Sequence, residues 1–259
     1  MGVVGAEMPA TFPLEALKAQ AVAARTFIIS RMNESQKEAH GGTGASVCTD
    51  PAHCKAWKSD EELRRSWGEG SEEYYKKIKA AVEDTCGEIV LFRGQPISAV
   101  YYSMSSGNTE NSEDVWGGVV PYLKSVSSSF DENAPGFNSS ASFTTDEFKG
   151  VILQENPDAV LEGDPAGWIT EIKNSEGGGV LSLKIGGQDF KGTRLRTLFS
   201  LRSHNFTVSI SEGIVTFDVK GYGHGVGMSQ WGSRFLAEEG KTYEEILKYY
   251  YTGVEMGNI

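Results

Sequence analysis

Three groups of residues have types and spacing that could do chemistry. The first is a single carboxyl, Glu7, in the stretch Glu7-Met8-Pro9-Ala10-Thr11-Phe12-Pro13. Two prolines pin the turn behind it, and Val3, Val4, Ala6 and Met8 give it apolar neighbours. An acid in front of a helix is commonly a dipole partner or a surface charge. Apolar neighbours instead desolvate it, which raises its pKa and suits it to exchange a proton near neutral pH. The second group is Gly221-Tyr222-Gly223-His224-Gly225-Val226-Gly227, where glycines permit a backbone path closed to other residues. Neither frame supplies the G-x-G-x-x-G of a dinucleotide site. His224 there reads either as a structural histidine in a strand-to-helix turn or as one that lines a cleft. The third group is His40, Cys48, His53 and Cys54, in a polar, glycine-rich region. Zinc takes nitrogen and sulfur ligands in tetrahedral array, so this spacing could hold it. It leaves equally open a Cys48–Cys54 disulfide or inert buried thiols, because with Cys86 the cysteine count is odd.

The elements that must position these groups can be read from periodicity and caps. Pro13 suits a first helical position, and Leu14, Leu17, Ala21, Ala24, Ile28 and Ile29 then recur as an apolar stripe. Ser59-Asp60-Glu61-Glu62, Thr144-Thr145-Asp146-Glu147 and Thr242-Tyr243-Glu244-Glu245 are capping boxes that open helices. Another helix starts at Ser71, and a further one spans Met228 to Glu239. Glu88–Phe92 with Ile97–Tyr102, Trp168–Lys173 with Val180–Ile185, and Phe206–Ile210 with Ile214–Val219 read as hairpins. Ser103 to Glu110 reads as a polar loop too rich in hydroxyls to be core, and Ser127 to Ser142 as loop. Met1-Gly2-Val3-Val4 reads as the interior of a strand, an abrupt start that would leave any upstream targeting or anchoring segment outside this sequence. The order of elements is α+β: helices and antiparallel hairpins in two lobes that flank a substrate cleft.

The totals narrow the function. At 259 residues the chain can bury a sizeable core. A net charge of −11 without a basic stripe argues against nucleic acid and against docking on anionic membrane. No apolar run approaches the ~20 residues of a membrane span, and no signal peptide is apparent.

Two of these stretches carry a resemblance. Glu7-Met8-Pro9 leading into Pro13-Leu14-Glu15-Ala16-Leu17-Lys18-Ala19-Gln20-Ala21-Val22-Ala23-Ala24-Arg25-Thr26 resembles the signature of the stage II sporulation protein D family. Tyr222-Gly223-His224-Gly225-Val226-Gly227-Met228-Ser229-Gln230-Trp231-Gly232 resembles that family's C-terminal signature, and the hydroxyl-rich loop with Gly107, Thr109 and Glu110 and the run Asp114-Val115-Trp116-Gly117 also resemble the family. The resemblance implies one catalytic region over residues 1–259, made of two interleaved lobes. It implies a peptidoglycan lytic transglycosylase that acts while the mother cell engulfs the forespore. Such a protein is extracytoplasmic, anchored in the mother-cell membrane and facing the space between septal or forespore membranes. Its expected partners are peptide-stripped glycan strands, a sporulation amidase and a membrane protein of the engulfment complex. By this resemblance Glu7 is the catalytic acid, and Gln20, Arg25, Tyr102, Ser106, Glu110, His224 and Gln230 line the cleft. Clostridial members hold a zinc ion through two cysteines and a histidine, which maps onto Cys48, Cys54 and His40. His53 is the weaker candidate, because adjacent residues rarely both turn to one metal. Two other readings compete: a non-catalytic wall-binding amidase enhancer, and a zinc-dependent amidase.

Overall fold

Residues 14–33 form the long helix (Leu14–Asn33) about which the first part of the chain is assembled. The structure, a computed structural model, describes residues 1–33, 45, 47–50 and 54–259. It divides into two units: Met1–Tyr101 with Gly232–Ile259, and Tyr102–Trp231. The sequence pattern predicts an apolar stripe on the long helix, but Ala16, Leu17, Ala19, Gln20 and every residue from Ala21 to Ala24 are buried. Burial is nearly all round, as expected of a helix packed on several sides. Alanine makes this possible, since its small side chain lets neighbouring backbones close in. Around it pack the short helix Gly2–Glu7, the helices Ser71–Asp84 and Tyr243–Tyr250, and the strand Glu88–Phe92.

Gly2–Glu7 is helical, where the paired valines predict a strand. Tertiary packing overrides the β preference of Val3 and Val4. The segment ending at Lys58 lies along this helix, with the Lys58 amide donating to the Gly2 carbonyl at 3.3 Å. A Cβ on Gly2 would meet the Trp57 ring at 2.4 Å, so the approach requires glycine. The strand Glu88–Phe92 pairs antiparallel with Glu255–Asn258 on one side and with Gln95–Pro96 on the other. Its hairpin is tighter than the pattern predicts: Arg93 and Gly94 both take positive φ, and the partner strand is only two residues long.

Arg25 ties this unit together. Its guanidinium donates to the carbonyls of Thr85 (2.6 Å), Glu88 (2.8 Å) and Val82 (3.3 Å). These carbonyls lie at the C-terminal end of the helix Ser71–Asp84 and in the turn to the next strand, where backbone acceptors lack helical partners. Thr26 adds a second tie, accepting the Val90 amide at 2.9 Å and donating to Val22 O at 2.7 Å.

The second unit holds two three-stranded antiparallel sheets. One has the order Asn138–Thr144, Ile214–Lys220, Phe206–Ser211; the other has Ile169–Asn174, Val180–Ile185, Gln188–Lys191. Helices Thr145–Glu155 and Gly192–Leu198 complete a core in which Phe148, Phe199, Phe206 and Phe217 meet. Phe148 stacks on Phe199 with ring centroids 5.3 Å apart, and Phe199 lies 5.1 Å from Phe217. All three capping boxes form, each with reciprocal bonds between the Ser or Thr and the Glu three residues on. Such a cap contributes about 1 kcal/mol. Asn138–Thr144 is a strand, not the loop its run of serines predicts. Among the described residues no helix is long and apolar enough to cross a membrane.

If Arg25 is a tie of this kind, Arg25→Ala should destabilise the protein by about 2–4 kcal/mol, the loss of several charge-assisted bonds to backbone. The urea midpoint should fall with little change in slope. Arg25→Lys should recover only part of the loss, since one ammonium cannot span the same carbonyls.

Candidate functional site

Glu7 is the last residue of its six-residue helix, and the chain turns extended at Met8. The sequence places it before the helix that follows, where a dipole would hold it ionised. The structure places it at the C-terminal end of its own helix, which disfavours the anion. Its Oε1 accepts the Ala56 amide at 2.9 Å. Burial raises its pKa above the ordinary carboxylate value, and this outweighs the Ala56 amide and the Lys55 charge, which act in the opposite direction. It lines a cavity of about 370 Å³ together with Met8, Pro9, Thr11, Trp67 and Tyr74. Trp67 and Tyr74 meet edge to face, 6.2 Å between centroids.

Behind the carboxyl lies a polar cluster that the sequence pattern does not reveal. Lys55 is buried, its ammonium 3.5 Å from the Tyr101 ring centre and 4.3 Å from that of Phe27. Burial lowers its pKa to about 8, although Glu7 pulls it upward. The Tyr101 phenol, also buried and beside Glu7, is pushed up by desolvation and shares a hydrogen bond with Gln20. Gln20 is 0% exposed and so serves Tyr101 from inside the unit, away from any solvent-facing lining. Arg25 is likewise committed to backbone carbonyls, as described above.

The cysteine segment reaches this site. Burial raises the Cys54 thiol, and both the amide and the thiol of Cys48 face its sulfur. Neither cysteine is in a disulfide, nor is the exposed Cys86. Two residues after Cys54 comes the Ala56 amide that holds Glu7. His40 and His53 lie outside the described residues. Among the described residues no group of three or more His, Cys, Asp and Glu side chains could hold a metal ion. Two sulfurs side by side fit a thiolate pair for zinc, with the third ligand still to be supplied.

The glycine-rich stretch belongs to the second unit. Gly221, Gly223, Gly225 and Gly227 all take positive φ. A Cβ on Gly223 would meet that of Tyr102 at 2.7 Å, and one on Gly225 would meet Glu110 Cγ at 2.7 Å. The loop is clamped by paired bonds between Met104 and Tyr222 and by the Glu110 amide donating to Gly225 O at 2.8 Å. It presents His224 between Tyr102 and Trp116, with ring centroids at 5.3 and 5.1 Å.

Ser103 to Glu110 is partly core rather than all loop: Ser105, Thr109 and Glu110 are buried, whereas Asn108 is exposed. Several of their polar atoms are met by distant residues. Thr109 Oγ1 accepts the Val126 amide and donates to Lys124 O, and the Ser105 amide donates to Asp131. Glu110, 1% exposed, accepts the Gly179 amide at 2.9 Å and lies 3.5 Å from His204 Nε2. Burial alone would raise its pKa, but His204, the Ser175 hydroxyl and the Gly179 amide bring it below the ordinary value. Tyr102 (4%) and Gln230 (7%) are also buried, and Glu110 lines a small hollow with Ser106, His204 and Asn205. Ser106 accepts Asn205 Nδ2 at 3.0 Å and is only half-buried. A larger hollow of about 540 Å³ lies on the outer sheet face, where Asn138, Ser140, Thr207 and Asp218 are solvent-facing and offer contacts but no desolvated acid.

The first 92 residues match the model of a family described as SpoIID, stage II sporulation protein. The chain is 42% identical over 258 residues to stage II sporulation protein D of Bacillus subtilis (strain 168), covering 99% of this chain and 72% of that protein. Its namesake in Bacillus amyloliquefaciens is 39% identical over 259 residues, with the same two coverages. The amidase enhancer of Bacillus subtilis (strain 168) is 29% identical over 304 residues, covering 98% of this chain and 40% of that protein.

One buried acid gives a direct test of these environments. Burial raises Asp131 to about 7, although Ser229, the Ser105 amide and Ser128 all donate to it. Its folded pKa exceeds its unfolded one, so its contribution is fully present below about pH 4 and is lost as pH rises through about 7. Asp131→Asn should flatten that decline in urea midpoint relative to the parent protein.

Proposed function

The chain belongs to the stage II sporulation protein D family, and for it we propose lytic transglycosylation of peptidoglycan glycan strands with Glu7 as the proton carrier. The observation that carries this reading is a half-buried carboxyl of raised pKa opening onto a cavity walled by Trp67 and Tyr74. A glycosidic oxygen leaves poorly until protonated, so the acid must hold its proton near neutral pH. Protonated Glu7 gives that proton to the oxygen between N-acetylmuramic acid and N-acetylglucosamine as the C1–O bond breaks. Its carboxylate then takes the proton from the muramyl C6 hydroxyl, whose oxygen bonds to C1. The products are a 1,6-anhydro end and a free N-acetylglucosamine end, and no water is consumed. The Ala56 amide donates to Oε1 and so orients the carboxyl. Aromatic walls suit the apolar faces of sugar rings and hold the strand in place.

Zinc is proposed at Cys48 and Cys54 with His40. Bound there, it supplies a crosslink that steadies the segment delivering the Ala56 amide to Glu7. The family's role in sporulation supports an extracytoplasmic site of action, a membrane anchor outside this sequence, and work beside an amidase and a membrane protein of engulfment. The likeness to an amidase enhancer favours one other reading, a module that binds glycan without cutting it.

Glu7→Gln should lower release of anhydro-ended products from purified, peptide-free glycan by about 10²–10⁴-fold, read by mass. The parent's rate should fall as pH rises through the raised Glu7 pKa, because the protonated form is the active one. Glycan that binds but keeps its length would favour the enhancer reading; activity abolished by chelation yet retained in Glu7→Gln would favour a zinc amidase. Protein purified without added zinc should carry about one ion per chain by elemental analysis. Cys48→Ser should lose both the ion and thermal stability.

A further inference from the structure

We propose that Arg202, Arg196 and Tyr222 form an anion site on the second unit that takes a carboxylate. The site does not depend on the reaction assigned to Glu7.

The chain has 35 acidic residues against 24 lysines and arginines, so an arginine without a carboxylate beside it is unexpected. Arg64, Arg65, Arg194 and Arg234 each pair with a glutamate. Arg196 and Arg202 pair with no acid among the described residues, although both are half-buried. Taking a charge part-way out of water without a counter-ion is unfavourable. Two ordinary explanations exist for such residues. An arginine in the last turn of a helix is favoured by the dipole, and Arg196 holds that place in Gly192–Leu198. A long side chain can also bury its stem while its charged head stays in water. Neither describes Arg202, which lies past the helix and whose Nε is closed to solvent with no acceptor.

The Arg202 head is held in place. Its Nη1 donates to the Gly136 carbonyl at 2.9 Å, and its central carbon lies 4.4 Å from the Tyr222 ring centre. The Arg202 carbonyl accepts the Gly223 amide at 2.9 Å, and paired backbone bonds with Met104 clamp Tyr222 in turn. With Nη1 committed, the remaining edge of the guanidinium is Nε with Nη2, a fork that can donate to both oxygens of one carboxylate. An acceptor entering along that edge satisfies a buried donor that otherwise has none. Tyr222 is 45% exposed, and its hydroxyl has no partner among the described residues. Burial lowers the Arg196 pKa and the Tyr222 phenol opposes the effect, which puts a second guanidinium in the field of the same ring. Because Arg202 and Tyr222 are already ordered, binding loses little side-chain freedom.

The backbone around the site selects among anions. Phosphate sites draw on amides at a helix N-terminus. Here the neighbouring backbone groups are the Gly136 carbonyl and the C-terminal end of Gly192–Leu198, which are negative ends of dipoles. A doubly charged phosphate is opposed more by these than a singly charged, planar carboxylate is. An exposed tyrosine beside arginines is also the composition of surfaces that bind proteins. The occupant is therefore a glutamate or aspartate side chain of a peptide, with a free organic acid as the other source of the same group.

The test follows the Arg202 Nε–H by NMR while the chain is titrated with a short polyglutamate peptide, polyglutamine of the same length, acetate or inorganic phosphate. The net charge of −11 works against loose attachment of an acidic peptide, so saturable binding reports a built site. Polyglutamate should move the Arg202 signal and polyglutamine should not, while the Nε–H of Arg194, already paired with Glu155, stays in place. Arg202→Gln should weaken the peptide by about tenfold or more, and Arg202→Lys, which keeps the charge but not the fork, should recover only part of the loss. Arg196→Gln removes no side-chain hydrogen bond, so it should weaken binding without lowering the thermal midpoint. Acetate that competes with the peptide supports the carboxylate as the group recognised, and acetate that binds as tightly keeps the site but gives it to free organic acids. An Arg202 signal that neither carboxylate moves, equal binding of polyglutamine, or tighter binding of phosphate would overturn the proposal. So would affinity within about twofold of the parent in Arg202→Gln.

Discussion

The acidity of Glu7 is set by a contest between burial and two opposing groups, the Ala56 amide and the Lys55 ammonium, and burial prevails. The contest explains a segment that otherwise looks costly. Burying an ammonium is expensive unless it is compensated, and Lys55 is compensated by the faces of Tyr101 and Phe27 and by the Glu7 charge. In the proposed reaction the Glu7 anion would form beside a cation and an amide already aimed at it. No reorganisation is needed at that moment, which is the advantage of preorganised charge. Too strong a stabilisation would leave the acid ionised from the start. Placing Glu7 at the C-terminal end of a helix, half out of water, shifts the balance toward the protonated form.

How much of this was legible depends on the range of the interactions involved. Capping boxes are closed within four residues, so all three could be read from the letters and all three form. The hairpins around residues 175–179 and 212–213 were legible for the same reason, since turn residues and strand alternation are local signals. Ser105, Thr109 and Glu110 misled because their partners lie 15 to 124 residues away. A run of hydroxyls looks solvated until Asp131, Ser229 and the Lys124 carbonyl are seen to meet it. Asn138–Thr144 was missed because short polar side chains carry no hydrophobic alternation, and its pairing with Ile214–Lys220 is a tertiary fact. The candidate acid was legible from its apolar neighbours. Lys55, Tyr101, Trp67 and Tyr74 were not, because nothing in their spacing ties them to residue 7.

Glycine use shows the same division. Gly177-Gly178-Gly179 signals a turn, and the turn forms. Yet the stricter demand on two of these glycines is space. A Cβ on Gly177 would lie 2.5 Å from the Glu110 carboxyl, and one on Gly179 would lie 2.3 Å from His204 Nε2. With Gly225 closing from the other direction, two glycine segments far apart in sequence converge on one buried acid–base pair. Such a pair contributes little net stability once desolvation is counted. Its value is in registration: a carboxylate that must bond one amide and face one imidazole fixes where both backbones run. That fixes the loop carrying His224.

The charges around Glu7 also bear on which bond-making chemistry the site suits. Glycosidases that use water or a covalent intermediate need a second carboxyl, about 5–9.5 Å from the first. Among the described residues, the groups named as acting on the Glu7 charge are the Ala56 amide and the Lys55 ammonium. A lone carboxyl can still complete a cycle if the nucleophile belongs to the substrate, because the proton it gives to the leaving oxygen is returned by the attacking hydroxyl. The muramyl C6 hydroxyl is tethered to the reacting carbon and needs only to be turned toward it. Orientation then replaces the second carboxyl, and orientation is what the aromatic residues lining the cavity would supply. Under the proposed function, a desolvated carboxyl with one oxygen held by an amide and aromatic residues at the cavity wall is consistent with intramolecular transfer.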